Sequence, residues 1–184
     1  YTNVSYNTQT AGSDQRELFI SPNGQYLFVS NSGNNLYRFS LSTAYDITTA
    51  GSADQIFDMG TMNSINTTVQ AFTFSTNGQQ FFALDQNGNL ARTYFSTGFS
   101  LTNATNQSGD TWSATNIPLG LAVSSDGFTF YAVDTQGKIH TRTYQSAYNI
   151  GNSNGVVART FTKGSEGGGN NRFEAIRVSS DGLK

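Results

Sequence analysis

The chain has no cysteine, one histidine, one tryptophan and two prolines in 184 residues. Without cysteine there is no disulfide framework, thiolate zinc site or cysteine nucleophile, and redox compartment is left open. Charge is scarce as well: 12% of residues are Asp, Glu, Lys or Arg, about half the usual share. Ten basic residues scattered among twelve acids, at a net charge of −2, form no cluster that could neutralise phosphates, which argues against nucleic acid as a partner. No apolar run approaches the roughly 20 residues of a membrane helix, and no basic-then-apolar leader opens the chain. No membrane insertion is expected.

In place of charge stand Ser, Thr, Asn, Gln and Gly, about half of all residues. Disorder does not follow, because 14 Phe and 9 Tyr remain to be buried and the net charge is small. Helical periodicity is absent, whereas short apolar or alternating runs sit between Gly, Asn, Asp and Ser clusters, as strands do between turns. The chain reads as all-β.

Self-comparison sharpens that reading. Ser21-Pro22-Asn23-Gly24, Ser75-Thr76-Asn77-Gly78, Ser124-Ser125-Asp126-Gly127 and Ser179-Ser180-Asp181-Gly182 are one motif, its glycines 54, 49 and 55 residues apart. A short apolar strand precedes each copy: Leu18 to Ile20, Phe72 to Phe74, Leu121 to Val123 and Ile176 to Val178. A second strand follows the first three, at Tyr26 to Val29, Gln80 to Ala83 and Thr129 to Ala132. Asn-Gly or Asp-Gly between two such runs is a strong hairpin signal, since Gly supplies positive φ without a Cβ clash. In register with these come a second turn at Gly33-Asn34-Asn35, Asn87-Gly88-Asn89 and Gln136-Gly137-Lys138, and a third strand at Leu36 to Leu41, Leu90 to Phe95 and Ile139 to Tyr144. The aligned segments Ser42 to Ile47, Ser96 to Leu101 and Gln145 to Ile150 each place an aromatic and an aliphatic two residues apart. That spacing predicts an extended strand with both side chains on one face. Room for a fourth strand lies near Ile56-Phe57 and at Val156 to Phe161.

Four strands in roughly 50 residues, repeated, is the metre of a β-propeller blade, and a parallel β-helix is the competing architecture. The expected fold is an all-β propeller of four-stranded antiparallel blades, about three and a half of them visible. Residues 1–15 end a preceding blade, 16–69, 70–118 and 119–173 are blades, and 174–184 begin a further one. A propeller closes with about four to eight blades. The expectation is therefore a fragment of a longer propeller, with a ring shared between chains as the alternative.

The turn Ser-Pro-Asn-Gly followed by Gln25-Tyr26-Leu27-Phe28-Val29-Ser30-Asn31 resembles the S-P-D-G-x-x-x-Y-V-x-N repeat of the YVTN and TolB-like propeller superfamily. Leu41-Ser42-Thr43-Ala44-Tyr45-Asp46-Ile47-Thr48-Thr49-Ala50 is similar to the L-S-T-P-[WY]-D-I-S-T-A element of propeller repeats in bacteriophage structural proteins and some secreted bacterial proteins. Later copies depart from it: Asp46 becomes Ser100 and Asn149, and the proline is Ala44, Gly98 or Ala147. The resemblance implies the propeller fold; propellers host enzymes, ligand binders and scaffolds alike.

Candidate chemistry is thin. Glu17 and Glu174 stand immediately before the first strand of their repeats, in line with Gln70 and Leu119, where a channel-facing pair could bind Ca²⁺ or sit as solvated charges. His140, in a third strand beside Ile139, is a general-base candidate or an ordinary blade-interface histidine. Asp85-Gln86-Asn87-Gly88-Asn89 alternates oxygen side chains like a calcium loop, but it aligns with the other second turns and lacks a downstream Glu. Gly167-Gly168-Gly169 has no Gly-Lys-Ser/Thr ending and reads as a loop, not a phosphate cradle. Trp112 could stack on a sugar ring or pack on a neighbouring blade.

No catalytic constellation emerges, no catalytic or metal-binding residue is assigned, and no cofactor is expected beyond the weak calcium signal. The expectation is a non-enzymatic structural and interaction module of an extracellular or virion assembly, such as a phage tail, fibre or capsid-decorating protein, with other protein subunits and glycans as partners. A lactonase-like or sugar-hydrolysing propeller enzyme and a lectin-like glycan-binding propeller are the alternatives.

Overall fold

Each Ser-x-Asn/Asp-Gly turn is built by the same bonds. In the computed structural model, which describes residues 12, 14–112, 118–151, 157–162 and 175–179, Gly24, Gly78 and Gly127 take φ of 70°, 71° and 77°. That left-handed geometry costs a residue with a Cβ about 1–2 kcal/mol. The Ser21, Ser75 and Ser124 hydroxyls donate to the Asn23, Asn77 and Asp126 side-chain oxygens at 2.7, 2.8 and 2.6 Å. The same hydroxyls accept from the N–H of Tyr26, Gln80 and Thr129 at 3.0, 3.0 and 2.9 Å. Polar side chains thus satisfy backbone groups that the tight turn leaves without a ladder partner.

The turns join strands into three four-stranded antiparallel sheets. The first holds β1 (Gln15–Ile20), β2 (Tyr26–Asn31), β3 (Asn35–Ser40) and β4 (Gln55–Asp58), in that order. The second holds β5 (Val69–Phe74), β6 (Gln80–Asp85), β7 (Asn89–Phe95) and β8 (Ala104–Thr111). The third holds β9 (Pro118–Val123), β10 (Thr129–Asp134), β11 (Lys138–Thr143) and β12 (Val157–Thr162). Inner strands neighbour one another, β1 against β5 and β5 against β9. One core lies between the first two sheets, around Phe28, Phe72, Phe74, Phe81 and Phe95. A second lies between the second and third, around Phe82, Leu84, Leu90, Phe130 and Tyr144. Adjacent Phe81 and Phe82 point into different cores, as strand alternation requires, and each full burial contributes roughly 1.5–3 kcal/mol.

Three expectations change. The fourth strand of the middle repeat, β8, reads Ala-Thr-Asn-Gln-Ser-Gly-Asp-Thr and carries no apolar alternation. It forms because β7 otherwise leaves its outer N–H and C=O groups unpaired, a backbone demand that ignores side-chain polarity. The segments after the third strands are not extended: Tyr45, Phe99 and Tyr148 stand at φ of 63°, 58° and 58° and turn the chain. Last, Ile176 to Val178 belong to no strand among the described residues. Residues 1–11, the fourth turn at 180–182, Gly167-Gly168-Gly169 and Glu174 lie outside the described residues.

The left-handed aromatics have a definite cause. Each donates its N–H to the carbonyl of its own turn glycine, Tyr45 to Gly24 at 2.8 Å, Phe99 to Gly78 at 2.9 Å and Tyr148 to Gly127 at 2.7 Å. Each ring lies flat on that glycine, so a Cβ there would meet a ring carbon at 2.5, 2.5 and 2.6 Å. Glycine and aromatic are a matched pair 21 residues apart, repeated three times.

Candidate functional site

The ends of the inner strands converge, with residues 175–179, on an open hollow of ≈ 210 Å³. Phe19, Thr73, Ser75, Ala122, Ser125 and Arg177 are among its walls. Residues 175–179 reach both flanks: Ala175 and Ile176 lie so near Gly120 that a Cβ there would stand 3.0 Å from each, and Arg177 Nη2 donates to the Leu18 carbonyl at 3.0 Å. Apolar side chains such as Phe19, Phe74 and Val178 share its walls with hydroxyls, and among the described residues Arg177 is its one charged side chain.

Glu17 sits beside it, in β1, with both carboxylate oxygens engaged. Oε2 accepts the Phe72 N–H of β5 at 2.8 Å, and Oε1 accepts from Arg177 Nη1 at 2.9 Å. Burial pushes its carboxyl up to about 7, and the pull of Arg177 and the Phe72 bond offset only part of that. Glu17 therefore clamps two neighbouring segments instead of offering free oxygens to a cation. Glu174, its expected companion, lies outside the described residues. Among the described residues no three His, Asp or Glu side chains are grouped as metal ligands.

The segment Asp85 to Asn89, read as a second turn in preference to a calcium loop, is a braced turn. Asp85 Oδ1 accepts from the N–H of Asn87 and Asn89 at 2.9 and 2.8 Å, and Oδ2 accepts from Asn89 Nδ2 at 2.9 Å. Asn31 Oδ1 and Asp134 Oδ1 cap the matching turns in the other sheets by the same two kinds of bond.

His140 belongs to this bracing. Its Nε2 lies 2.9 Å from Asp134 Oδ2 and its Nδ1 3.2 Å from Thr160 Oγ1. Carboxylate, imidazole and hydroxyl in a row are the ingredients of nucleophilic catalysis. However, Asp134 is buried and caps a turn, and Tyr37 fills the matching place in the first sheet, where its hydroxyl accepts from Asn31 Nδ2 at 3.5 Å. The first sheet thus makes a pair at this place with different chemistry, and the second sheet has Ala91 there.

Trp112 does not present a stacking face. It is 3% exposed, its Nε1 donates to the Tyr144 hydroxyl at 3.2 Å, and the Arg142 guanidinium lies 5.4 Å from its ring centroid. Arg142 and the Tyr144 hydroxyl both bond Asp110 Oδ2, so the group knits β8 to the third sheet. Burial and the hydrogen bond to Asp110 push the Tyr144 phenol well above its ordinary range. The glycan-stacking expectation for Trp112 is corrected by this burial: the apolar ring gains more against the next sheet than on a loop.

Sequence reasoning missed the contacts between sheets. Arg38 Nη1 donates to the carbonyl of Phe99 at 3.0 Å, and Arg92 Nη1 donates to the carbonyl of Tyr148. Both arginines stand 14 residues past their turn glycine, and each grips the left-handed aromatic of the following sheet. The matching place in the third sheet is Thr141. The signal was present as a repeated Arg at one register position, but nothing local says what it reaches.

No model of a known protein family matches the chain, and no curated protein matches it. Solved structures do resemble it. A functionally unknown protein from Desulfotomaculum acetoxidans DSM 771 is 20% identical, with a TM-score of 0.57 over 89% of this chain and 47% of its own. The RRP9 WD40 repeats are 10% identical, with a TM-score of 0.56 over 83% of this chain and 40% of theirs. The chain thus spans less than half the length of either. At such identities the likeness is one of fold: successive four-stranded antiparallel sheets of the kind found in WD40 repeats.

Proposed function

We propose that the chain is a run of blades from a β-propeller and serves as a non-enzymatic structural and interaction module of a larger assembly. One observation carries this reading: the acids and the histidine singled out for chemistry, Glu17, Asp85, Asp134 and His140, are bonded into turns and blade junctions. Rigid sheets of this kind hold loops that can vary in sequence and carry recognition. Their Ser, Thr, Asn and Gln side chains can hydrogen-bond a protein subunit or a glycan without desolvating a charge. An extracellular or virion setting, in a phage tail, fibre or capsid decoration, is supported by the wording of Leu41 to Ala50 and by the uncharged composition. No cofactor is assigned.

The Asp134, His140 and Thr160 row is the observation that favours a hydrolytic reading instead. Assay of the purified chain against lactones and simple esters separates the two. The module reading expects no turnover above buffer. Turnover abolished by His140→Ala or Glu17→Gln in a chain that keeps its circular dichroism overturns it.

A further inference from the structure

Of the four Asn-Gly pairs in the chain, three stand among the described residues: Asn23-Gly24, Asn77-Gly78 and Asn87-Gly88. Asparagine before glycine readily loses its side-chain amide, because a residue without Cβ lets its backbone nitrogen close on the Asn Cγ. All three asparagines are exposed, so water reaches each. All three glycines have positive φ, 70°, 71° and 80°, and their N–H groups donate to the carbonyls of Ser21, Ser75 and Asp85 at 2.8, 2.9 and 3.0 Å. Neighbour, access and backbone are alike.

The side chains are not. Asn23 Oδ1 accepts from the Ser21 hydroxyl and the Gln25 N–H at 2.7 and 3.1 Å, and its Nδ2 donates to Gln25 Oε1 at 2.9 Å. Asn77 repeats the set with Ser75 and Gln79 at 2.8, 3.1 and 2.9 Å. Both amides are therefore held at oxygen and at nitrogen. Asn87 lies in the turn between β6 and β7, where Asp85 supplies the cap and fixes the Asn87 N–H at 2.9 Å. Its side chain has one bond, from Nδ2 to Asn66 Oδ1 at 3.2 Å, and among the described residues nothing donates to its Oδ1. Its Cγ is the least restrained of the three.

We infer that Asn87 is a site of spontaneous deamidation, converting to aspartate and isoaspartate, while the turns around Asn23 and Asn77 keep those residues as amides. In the step the Gly88 nitrogen bonds to Asn87 Cγ, the Cγ–Nδ2 bond breaks, and ammonia leaves with the Gly88 amide proton. Water then opens the cyclic imide at either carbonyl. One opening restores the ordinary backbone as aspartate, and the other routes the chain through Cβ and Cγ as isoaspartate. The matching residues of the other sheets are Gly33 and Gln136, which cannot form this five-membered ring.

The change falls on the brace of the middle sheet. Either product loses the donor to Asn66 and brings a second carboxylate beside Asp85, which is buried. Isoaspartate also lengthens the backbone between the N–H groups of Asn87 and Asn89, which share Asp85 Oδ1 as acceptor. By contrast, the Ser-x-Asn/Asp-Gly turn accepts a carboxylate, since Asp126 takes the bonds from Ser124 and Phe128 that asparagine takes in the other copies.

Peptide mapping by mass spectrometry follows the three sites in the folded chain at mildly alkaline pH, with a parallel sample in urea. Asn87 is expected to convert roughly fivefold or more faster than Asn23 and Asn77 in the folded chain, because two fewer bonds restrain its amide. In urea, where no turn holds an amide, the three rates should be similar. Gln79→Ala removes the acceptor of Asn77 Nδ2 and is expected to speed Asn77 without speeding Asn23. Conversion of folded Asn23 or Asn77 as fast as Asn87 overturns the assignment. So does an Asn87 that stays an amide in the folded chain while converting in urea. Unchanged Asn77 conversion in a Gln79→Ala chain with wild-type circular dichroism overturns the protective role of the side-chain bonds.

Discussion

Gly78 shows how a single residue can be fixed by two independent demands. Its φ of 71° penalises any side chain, and the Phe99 ring lies where a Cβ would go, 2.5 Å from the nearest carbon. Gly78→Ala is expected to cost on the order of 2 kcal/mol or more in chemical denaturation. Gly51, whose Cβ position meets nothing within 4 Å among the described residues, is expected to lose less on substitution by alanine. Equal losses at both sites would mean that the ring is not held there. Glu17 gives a pH dependence whose sign can be stated. Its carboxyl is pushed up from 4.5 to about 7 by burial, so the folded chain holds that proton where the unfolded chain has released it. The associated stability is in full below about pH 4.5 and is lost as pH rises through about 7. The stability of Glu17→Gln relative to wild type is therefore expected to be more favourable at pH 8 than at pH 5, measured as paired urea midpoints. A pH-independent difference would contradict the buried, proton-binding carboxyl.

At the scale of elements, caps and latches decide more than strand propensity. Asp85 joins the ends of β6 and β7 by Oδ1 bonds that an amide oxygen can also make, as Asn31 does in the first sheet. Its Oδ2 accepts from Asn89 Nδ2 and the Asn66 N–H, which an amide nitrogen cannot do. Asp85→Ala is expected to cost about 1–3 kcal/mol in the urea transition, and Asp85→Asn less, because it keeps the Oδ1 bonds and loses those to Oδ2. Arg92 joins sheets, donating to the Tyr148 carbonyl and, at 3.3 Å, to Gln107 Oε1. Arg92→Met keeps much of the buried stem and leaves the carbonyl unpaired, for an expected loss of about 1–3 kcal/mol in the thermal or urea transition. A neutral Arg92→Met would show that the latch follows from packing and does not hold it.

For the whole molecule the middle sheet should be the most protected. It has a large core on each face, whereas the other face of the first sheet carries only the small cluster of Leu27, Val29, Phe39 and Leu41, and Leu18 in the first sheet and Phe161 in the third are more than half exposed. In stacked repeats stability is a sum of unit and nearest-neighbour terms, so β5, β6 and β7 gain from two interfaces and β1 and β12 from one. Native-state hydrogen exchange is expected to be slowest in β6 and β7 and faster in β3 and β11 by an order of magnitude or more. Uniform protection across the three sheets would mean that the chain unfolds as one cooperative block.

Much of this fold was legible in the residues. The Ser-x-Asn/Asp-Gly turns, their near-regular spacing and the apolar runs beside them are local facts, because turn chemistry and strand alternation act over a few residues. They placed the inner three strands of every sheet and two of the three outer ones. Contacts across sheets were not legible. β8 forms to satisfy the backbone of β7, Tyr45, Phe99 and Tyr148 turn left-handed to lie on glycines 21 residues earlier, and Trp112 is buried by Arg142 and Tyr144 of another sheet. The amino-acid order by itself determined the strands, turns and repeat. Tertiary structure alone decided that Glu17 and Arg92 are spent as clamps between sheets, since each bonds an atom 50 or more residues away that it meets only when the sheets stack.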